Sequence, residues 1–140
     1  MINSPKRISH IGIAVTDLDE AIIWYQEVLG LLFEGIEIIE SEQVRVAFFR
    51  VGESRIELLE PLSETSPIAR HIAKRGEGIH HIAFEVEDIQ ERLKELSLKG
   101  VALIHDEPKR GAHQSRIAFL HPKSTGGVLM ELCQPVSEEM

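Results

Sequence analysis

The stretch His10-Ile-Gly-Ile-Ala-Val-Thr-Asp17 returns half a chain later as His81-Ile-Ala-Phe-Glu-Val-Glu-Asp88. A second pair returns in the same order: Arg55-Ile-Glu57-Leu-Leu-Glu-Pro61 and Leu129-Met-Glu131-Leu-Cys-Gln-Pro135. Each copy of this duplicated unit carries one histidine near its start and one glutamate near its end. If the copies pair about a pseudo-twofold axis, the four side chains converge, and two imidazoles with two carboxylates make a site for a divalent metal ion.

Outward from the first stretch, Ile8 to Val15 alternates and is rich in β-branched residues, so it predicts a strand. His10, Gly12 and Ala14 share one face, and Ile11, Ile13 and Val15 share the face a helix covers. Asp17 is an N-cap with Glu20 at its third position, and Leu18, Ile22, Tyr25 and Leu29 follow at helical spacing until Gly30. Strands follow near Leu32 to Glu40, Val44 to Val51 and Arg55 to Glu60, with a tight turn at Gly52. Ser66-Pro67 opens a short linker helix that runs through Arg75 and stops at Gly76. The second half repeats the plan: a strand Ile79 to Val86, a helix capped by Asp88, and strands near Val101 to His105, Arg116 to Leu120 and Val128 to Cys133. The expected fold class is α+β. Two βαβββ modules, residues 8–62 and 79–135, are joined by a linker helix over 66–76 in a single domain of residues 1–140. They form a curled eight-stranded mixed sheet with the metal site in its concave face.

The 140 residues suffice for one domain that buries roughly two-thirds of its unfolded surface. A net charge of −8 argues against nucleic acid as a partner. The single cysteine, Cys133, precludes an intramolecular disulfide and fits a reducing compartment. No apolar run approaches the roughly 20 residues of a membrane-spanning helix, and no signal peptide is evident, so a cytoplasmic protein is expected.

His10 and His81 each sit among small residues, Gly12 and Ala14 in one copy and Ala83 in the other, where a packed core favours bulk. Glu57 and Glu131 lie mid-strand between apolar neighbours, where an unpaired carboxylate costs several kcal/mol. Without a thiolate, this donor set suits manganese, iron, cobalt, nickel or zinc. His80 falls on the helix side of its strand and reads as structural, and His71 reads as exposed. The turn His121-Pro-Lys-Ser-Thr-Gly-Gly127 precedes the Glu131 strand. Lys123, Ser124 and Gly126 there are candidate contacts for an anionic part of a substrate, weighed equally against an ordinary turn.

Taken with Ser66-Pro-Ile-Ala69, Gly76-Glu-Gly-Ile-His-His-Ile82, Asp106-Glu-Pro108, Gly111-Ala-His113 and Phe119-Leu-His-Pro-Lys-Ser124, these motifs resemble the vicinal oxygen chelate superfamily. Within it the chain resembles the methylmalonyl-CoA epimerase family. The resemblance implies that His10, His81 and Glu131 are metal ligands, that Glu57 occupies a position that is Gln or Glu in the family, and that Glu131 is a catalytic base. It further implies a cobalt-favouring site, an acyl-CoA substrate, a homodimer, and interconversion of 2R and 2S thioesters through a metal-stabilised enolate. One departure stands out: a third-strand glutamate of some members is Val46 here, so the partner acid is not assigned. Lactoylglutathione lyase, or a non-catalytic binding protein of the same fold, is the alternative.

Overall fold

The computed structural model describes residues 4–136. They form an α+β fold with an eight-stranded mixed sheet and three α-helices. By contact density the chain divides into two units. One is His10–His80; the other joins the residues up to Ser9 to those from His81 onward. Strand β1 (Arg7–Ala14) therefore serves both.

In the unit His10–His80, β1 leads into helix α1 (Leu18–Ile23), and then β2 (Leu32–Ile39), β3 (Val44–Val51) and β4 (Ser54–Pro61). The last three form an antiparallel meander that brings β4 back parallel to β1. Turn chemistry sets this path. Val51 pairs with Ser54 across a two-residue connection in which Gly52 adopts φ +59°, a conformation that costs glycine nothing. Asp17 caps α1 through Oδ1, which accepts from Glu20 N at 3.1 Å. Helical periodicity predicts an unbroken helix to Gly30. Instead, Trp24–Val28 forms a π-helical turn, with Leu29 N donating to Trp24 O at 3.0 Å. The linker helix α2 (Pro67–Arg75) keeps its expected bounds. Buried Ser66 accepts from Ile68 N, and Gly76 ends it.

In the other unit the plan recurs with β5 (Gly78–Glu85), whose first residues lie in the preceding unit, helix α3 (Ile89–Leu98), β6 (Lys109–Arg110), β7 (Arg116–Leu120) and β8 (Met130–Gln134). Here β8 runs parallel to β5, and Lys6 N beside β1 donates to Glu85 O at 2.8 Å. The full strand order is β2-β3-β4-β1-β5-β8-β7-β6.

One expected strand is corrected. Residues 101–105 form no ladder, only a single bridge between Leu103 and Leu120. The amides of Ile104 and His105 both turn to the same carbonyl, Phe119 O, and two donors on one acceptor cannot alternate as a ladder requires. Pairing with β7 resumes at Lys109–Arg110, past Pro108. His71 is also corrected from exposed to half-buried. Its ring meets His80 edge to face at 4.8 Å, and burial, then the charge of Arg75, holds its pKa below the usual histidine value.

The cores repeat as well. Val15, Leu18, Ala47, Phe49 and Leu58 pack together in one unit, and Val86, Ile89, Leu93, Ala118, Leu120 and Leu132 in the other. The first residue of each helix, Leu18 or Ile89, is fully buried, and such burial is worth about 1.5–3 kcal/mol per large side chain. Each is also pinned by its backbone. Leu18 N donates to Glu60 Oε2 at 2.8 Å, and Ile89 N donates to Gln134 Oε1 at 2.9 Å. Glu60 and Gln134 are equivalent residues of the two repeats, so the strand that ends each copy anchors the helix that begins it. Around Glu60 the network is ionic, with Arg45 bridging Glu60 at 3.1 Å and Asp19 at 2.6 Å. In the other copy Arg116 donates to neutral Gln90 at 3.0 Å.

Two stability effects follow. At Gly111 a built Cβ lies 2.8 Å from Cγ2 of Ile117, a stiff β-branched side chain that is itself buried. Gly111→Ala is expected to cost about 1–3 kcal/mol by overpacking, read as a lowered midpoint in thermal unfolding; an unchanged midpoint contradicts the assignment. Glu77 Oε2 accepts from Thr16 N at 2.7 Å and Thr16 Oγ1 at 2.9 Å. The backbone bond, then the hydroxyl bond, lowers its pKa from the ordinary 4.5. A depressed carboxylate stabilises the fold above its unfolded pKa and loses that contribution as the pH falls through the folded value. Glu77→Gln is therefore expected to lower the melting temperature modestly at neutral pH. The gap to the parent should close below about pH 4.5; a gap that stays constant on acidification rejects the ionic origin.

Candidate functional site

Each half of the duplication places one buried carboxylate beside one buried imidazole. In the unit His10–His80, the parallel register of β1 and β4 sets His10 opposite Arg55 and Gly12 opposite Glu57. His10 and Glu57 are 5% and 4% exposed. Nδ1 of His10 lies 3.3 Å from Oε2 of Glu57, and Nη2 of Arg55 lies 3.5 Å from the same oxygen. Neither approach has hydrogen-bond geometry, and among the described residues Glu57 Oε2 is a buried oxygen without a hydrogen-bond donor. Such an oxygen is costly unless a cation completes it.

In the other unit, β5 and β8 repeat that register, with Ala83 opposite Glu131. His81 and Glu131 are 5% and 3% exposed. Nε2 of His81 lies 2.9 Å from Oε1 of Glu131. A small residue thus faces each glutamate from the parallel strand. From the antiparallel side a phenylalanine does, Phe48 opposite Glu57 and Phe119 opposite Glu131. The His81 ring meets the Phe119 ring edge to face at 5.3 Å and 85°. The two phenylalanines wall each carboxylate with an apolar surface, which strengthens whatever electrostatic partner it takes. They went unassigned in the sequence reading, although they hold equivalent places in the duplication.

His10, His81 and Glu131 are all buried, and each is of a residue type that can ligate a metal ion. Two imidazoles and carboxylate oxygen suit a divalent transition metal, and Glu57, standing at His10, adds the buried oxygen that lacks a donor. The residues present therefore fit the cation that the sequence pattern implies. Val46, opposite Leu59 on the same face of β3 and β4, is 1% exposed and carries no titratable group.

The turn before β8 is closed by its own hydrogen bonds. His121 Nδ1 accepts from Lys123 N, His121 O from Ser124 N, and Pro122 O from both Thr125 N and Gly127 N. Ser124 Oγ accepts from Ala102 N at 2.8 Å. Gly126 takes φ +71° within this turn. Most of the amides are thus spent on the turn itself, and the ammonium of Lys123 remains its cationic group. His105 is structural, with Nδ1 accepting from Phe119 N at 3.1 Å.

The chain matches the model of the glyoxalase/bleomycin resistance protein/dioxygenase superfamily over residues 9–119. It is 44% identical to the uncharacterized protein YqjC of Bacillus subtilis over 134 residues, 96% of each chain. It is 43% identical to an ethylmalonyl-CoA/methylmalonyl-CoA epimerase of Cereibacter sphaeroides over 132 residues, 91% of this chain and 97% of that one. Among solved structures it is similar to a variant of Streptomyces coelicolor methylmalonyl-CoA epimerase in complex with 2-nitronate-propionyl-CoA. That match has 41% identity and a TM-score of 0.93, covering 98% of this chain and 99% of the other.

Proposed function

Because the chain belongs to the glyoxalase/bleomycin resistance protein/dioxygenase superfamily and, within it, to the methylmalonyl-CoA epimerase family, we propose that it interconverts the 2R and 2S forms of methylmalonyl-CoA. The observation that carries this reading is the buried histidine–glutamate pair repeated at one register in both halves. In this proposal His10, Glu57, His81 and Glu131 hold one divalent ion, cobalt being favoured by the family resemblance over manganese, nickel, zinc or iron. When bound, the ion supplies a Lewis acid for the negative charge that develops beside the thioester carbonyl.

The chain's own groups move the proton. Glu131 takes it from C2 as a carboxylate and becomes the acid, while the C–H electron pair passes toward the carbonyl oxygen. His81 at 2.9 Å orients the glutamate for that transfer. Return of a proton on the opposite face inverts the centre. Val46 has none to give, which leaves Glu57 or a water molecule as the second carrier. Burial of all four side chains keeps bulk water from competing. Lys123, with Ser124 and Gly126 shaping its turn, is assigned to an anionic part of the coenzyme. The modules 8–62 and 79–135 act as one domain, in a homodimeric cytoplasmic enzyme. Among the described residues no helix is long and apolar enough to cross a membrane.

The test is proton exchange. Methylmalonyl-CoA in deuterated water is expected to lose its C2 proton only in the presence of metal-loaded protein. Turnover of the glutathione hemithioacetal instead identifies a lactoylglutathione lyase. Neither reaction, in a protein purified without stoichiometric metal, identifies a binding protein of this fold.

A further inference from the structure

The two phenylalanines that wall the glutamates are held from their outer sides in different ways. Phe48 has a strand there, with Gly35 of β2 opposite it in the ladder. Beside Phe119, among the described residues, there is no ladder, because residues 101–105 make only the bridge between Leu103 and Leu120. A side chain takes the place of the strand. Phe119 N donates to Nδ1 of half-buried His105 at 3.1 Å. Phe119 O accepts from Ile104 N at 2.9 Å and from His105 N at 3.3 Å.

The N–H and C=O of one residue in an antiparallel strand point to the same side. With both turned toward residues 104 and 105, neither reaches β8, so Phe119 and Glu131 form a non-hydrogen-bonded pair. Side chains stand closest in such a pair, with roughly 4.5 Å between Cα atoms, yet no mutual bond fixes their spacing. The clamp on the outer side fixes it. The Phe119 ring carries that constraint inward, meeting the His105 ring at 5.8 Å and the His81 ring at 5.3 Å. His81 Nε2 in turn stands 2.9 Å from Glu131 Oε1. From this we infer that His105 is a positioning residue for the reaction: through Phe119 it holds the His81–Glu131 pair in place for transfer of the C2 proton. The inference rests on the proposed epimerase reading. It also accounts for the unequal treatment of the two phenylalanines, since the half that carries the proton-abstracting glutamate is the one with the imidazole clamp.

The test pairs two substitutions, assayed at saturating metal and well below each melting temperature. His105→Asn keeps an acceptor, because its Oδ1 lies the same number of bonds from Cβ as Nδ1. His105→Phe keeps a ring and loses the acceptor. The phenylalanine variant is expected to lower kcat for methylmalonyl-CoA about ten- to hundredfold with KM unchanged, the effect of a misplaced catalytic group. The asparagine variant should keep the kcat of the parent protein. Hydrogen exchange at the Phe119 amide, followed by NMR on the zinc-loaded protein, gives a reading that needs no activity. That amide should be protected in the parent protein and the asparagine variant, and exchange quickly in the phenylalanine variant. If the phenylalanine variant does not melt cooperatively, His105→Gln, which moves the acceptor one bond outward, should show the same losses to a smaller degree. Parent-like kcat without the acceptor, an asparagine variant as slow as the phenylalanine variant, a loss in KM alone, or equal amide protection throughout overturns the inference. Failure of the parent protein to exchange the C2 proton of methylmalonyl-CoA instead overturns the epimerase reading, so the two failures are separable.

Discussion

Glu131→Gln is expected to lower the rate of C2 proton exchange by about a hundred- to ten-thousandfold, the contribution of a positioned general base. The amide has the size of the carboxylate and still offers an oxygen toward His81 Nε2, now 2.9 Å from Glu131. Packing against Ala83 and Phe119 is therefore preserved, and the melting temperature of the chelated, metal-free protein should hardly change. What disappears is the capacity to accept a proton. The reaction is followed by loss of the C2 resonance of methylmalonyl-CoA in deuterated water, and the fold by circular dichroism. Full activity in the variant removes Glu131 from the mechanism. A collapse of stability makes it a packing residue instead.

Removal of the cation is the second large effect. Four buried side chains, two of them carboxylates, are brought into a folded chain at a desolvation cost that the proposed divalent ion would offset. A metal present at a hundredfold excess over its dissociation constant stabilises the native state by about 2.7 kcal/mol. For a chain of this length that amounts to roughly 5–15 °C in melting temperature. Chelation should therefore abolish proton exchange and lower the melting temperature together, and added cobalt or manganese should restore both. An unchanged melting curve after chelation, together with a metal-free analysis of the purified protein, refutes the ligand assignment independently of any activity.

The residues that punctuate the chain were the easiest to read. Asp17, Ser66 and Asp88 cap their helices as their spacing predicts, and β3 and β7 begin and end where alternation places them. These features are local, decided by a side chain and the next few amides. The π-helical turn after Ile23 was not legible, because one five-residue hydrogen bond changes no hydrophobic spacing. Nor was the missing ladder at 101–105, which depends on how Phe119 O is shared on another strand. The duplication identified both histidines and both glutamates but left open which histidine each glutamate takes. That choice comes from the parallel registers β1–β4 and β5–β8, a long-range property.

The unequal anchoring of the two first helices has a consequence for dynamics. Glu60 holds Leu18 N within a cluster that also contains Arg45 and Asp19, whereas Gln134 holds Ile89 N with no formal charge on either partner. Dissolved ions at molar strength shrink the reach of Coulomb forces to about 3 Å, so they loosen the first arrangement and spare the second. Amide protons at the start of α1 should then exchange with solvent faster in concentrated sodium chloride, while those of α3 keep their rates. An ancestral repeat that began with identical clasps would by this route have acquired one end that responds to its ionic surroundings and one that does not.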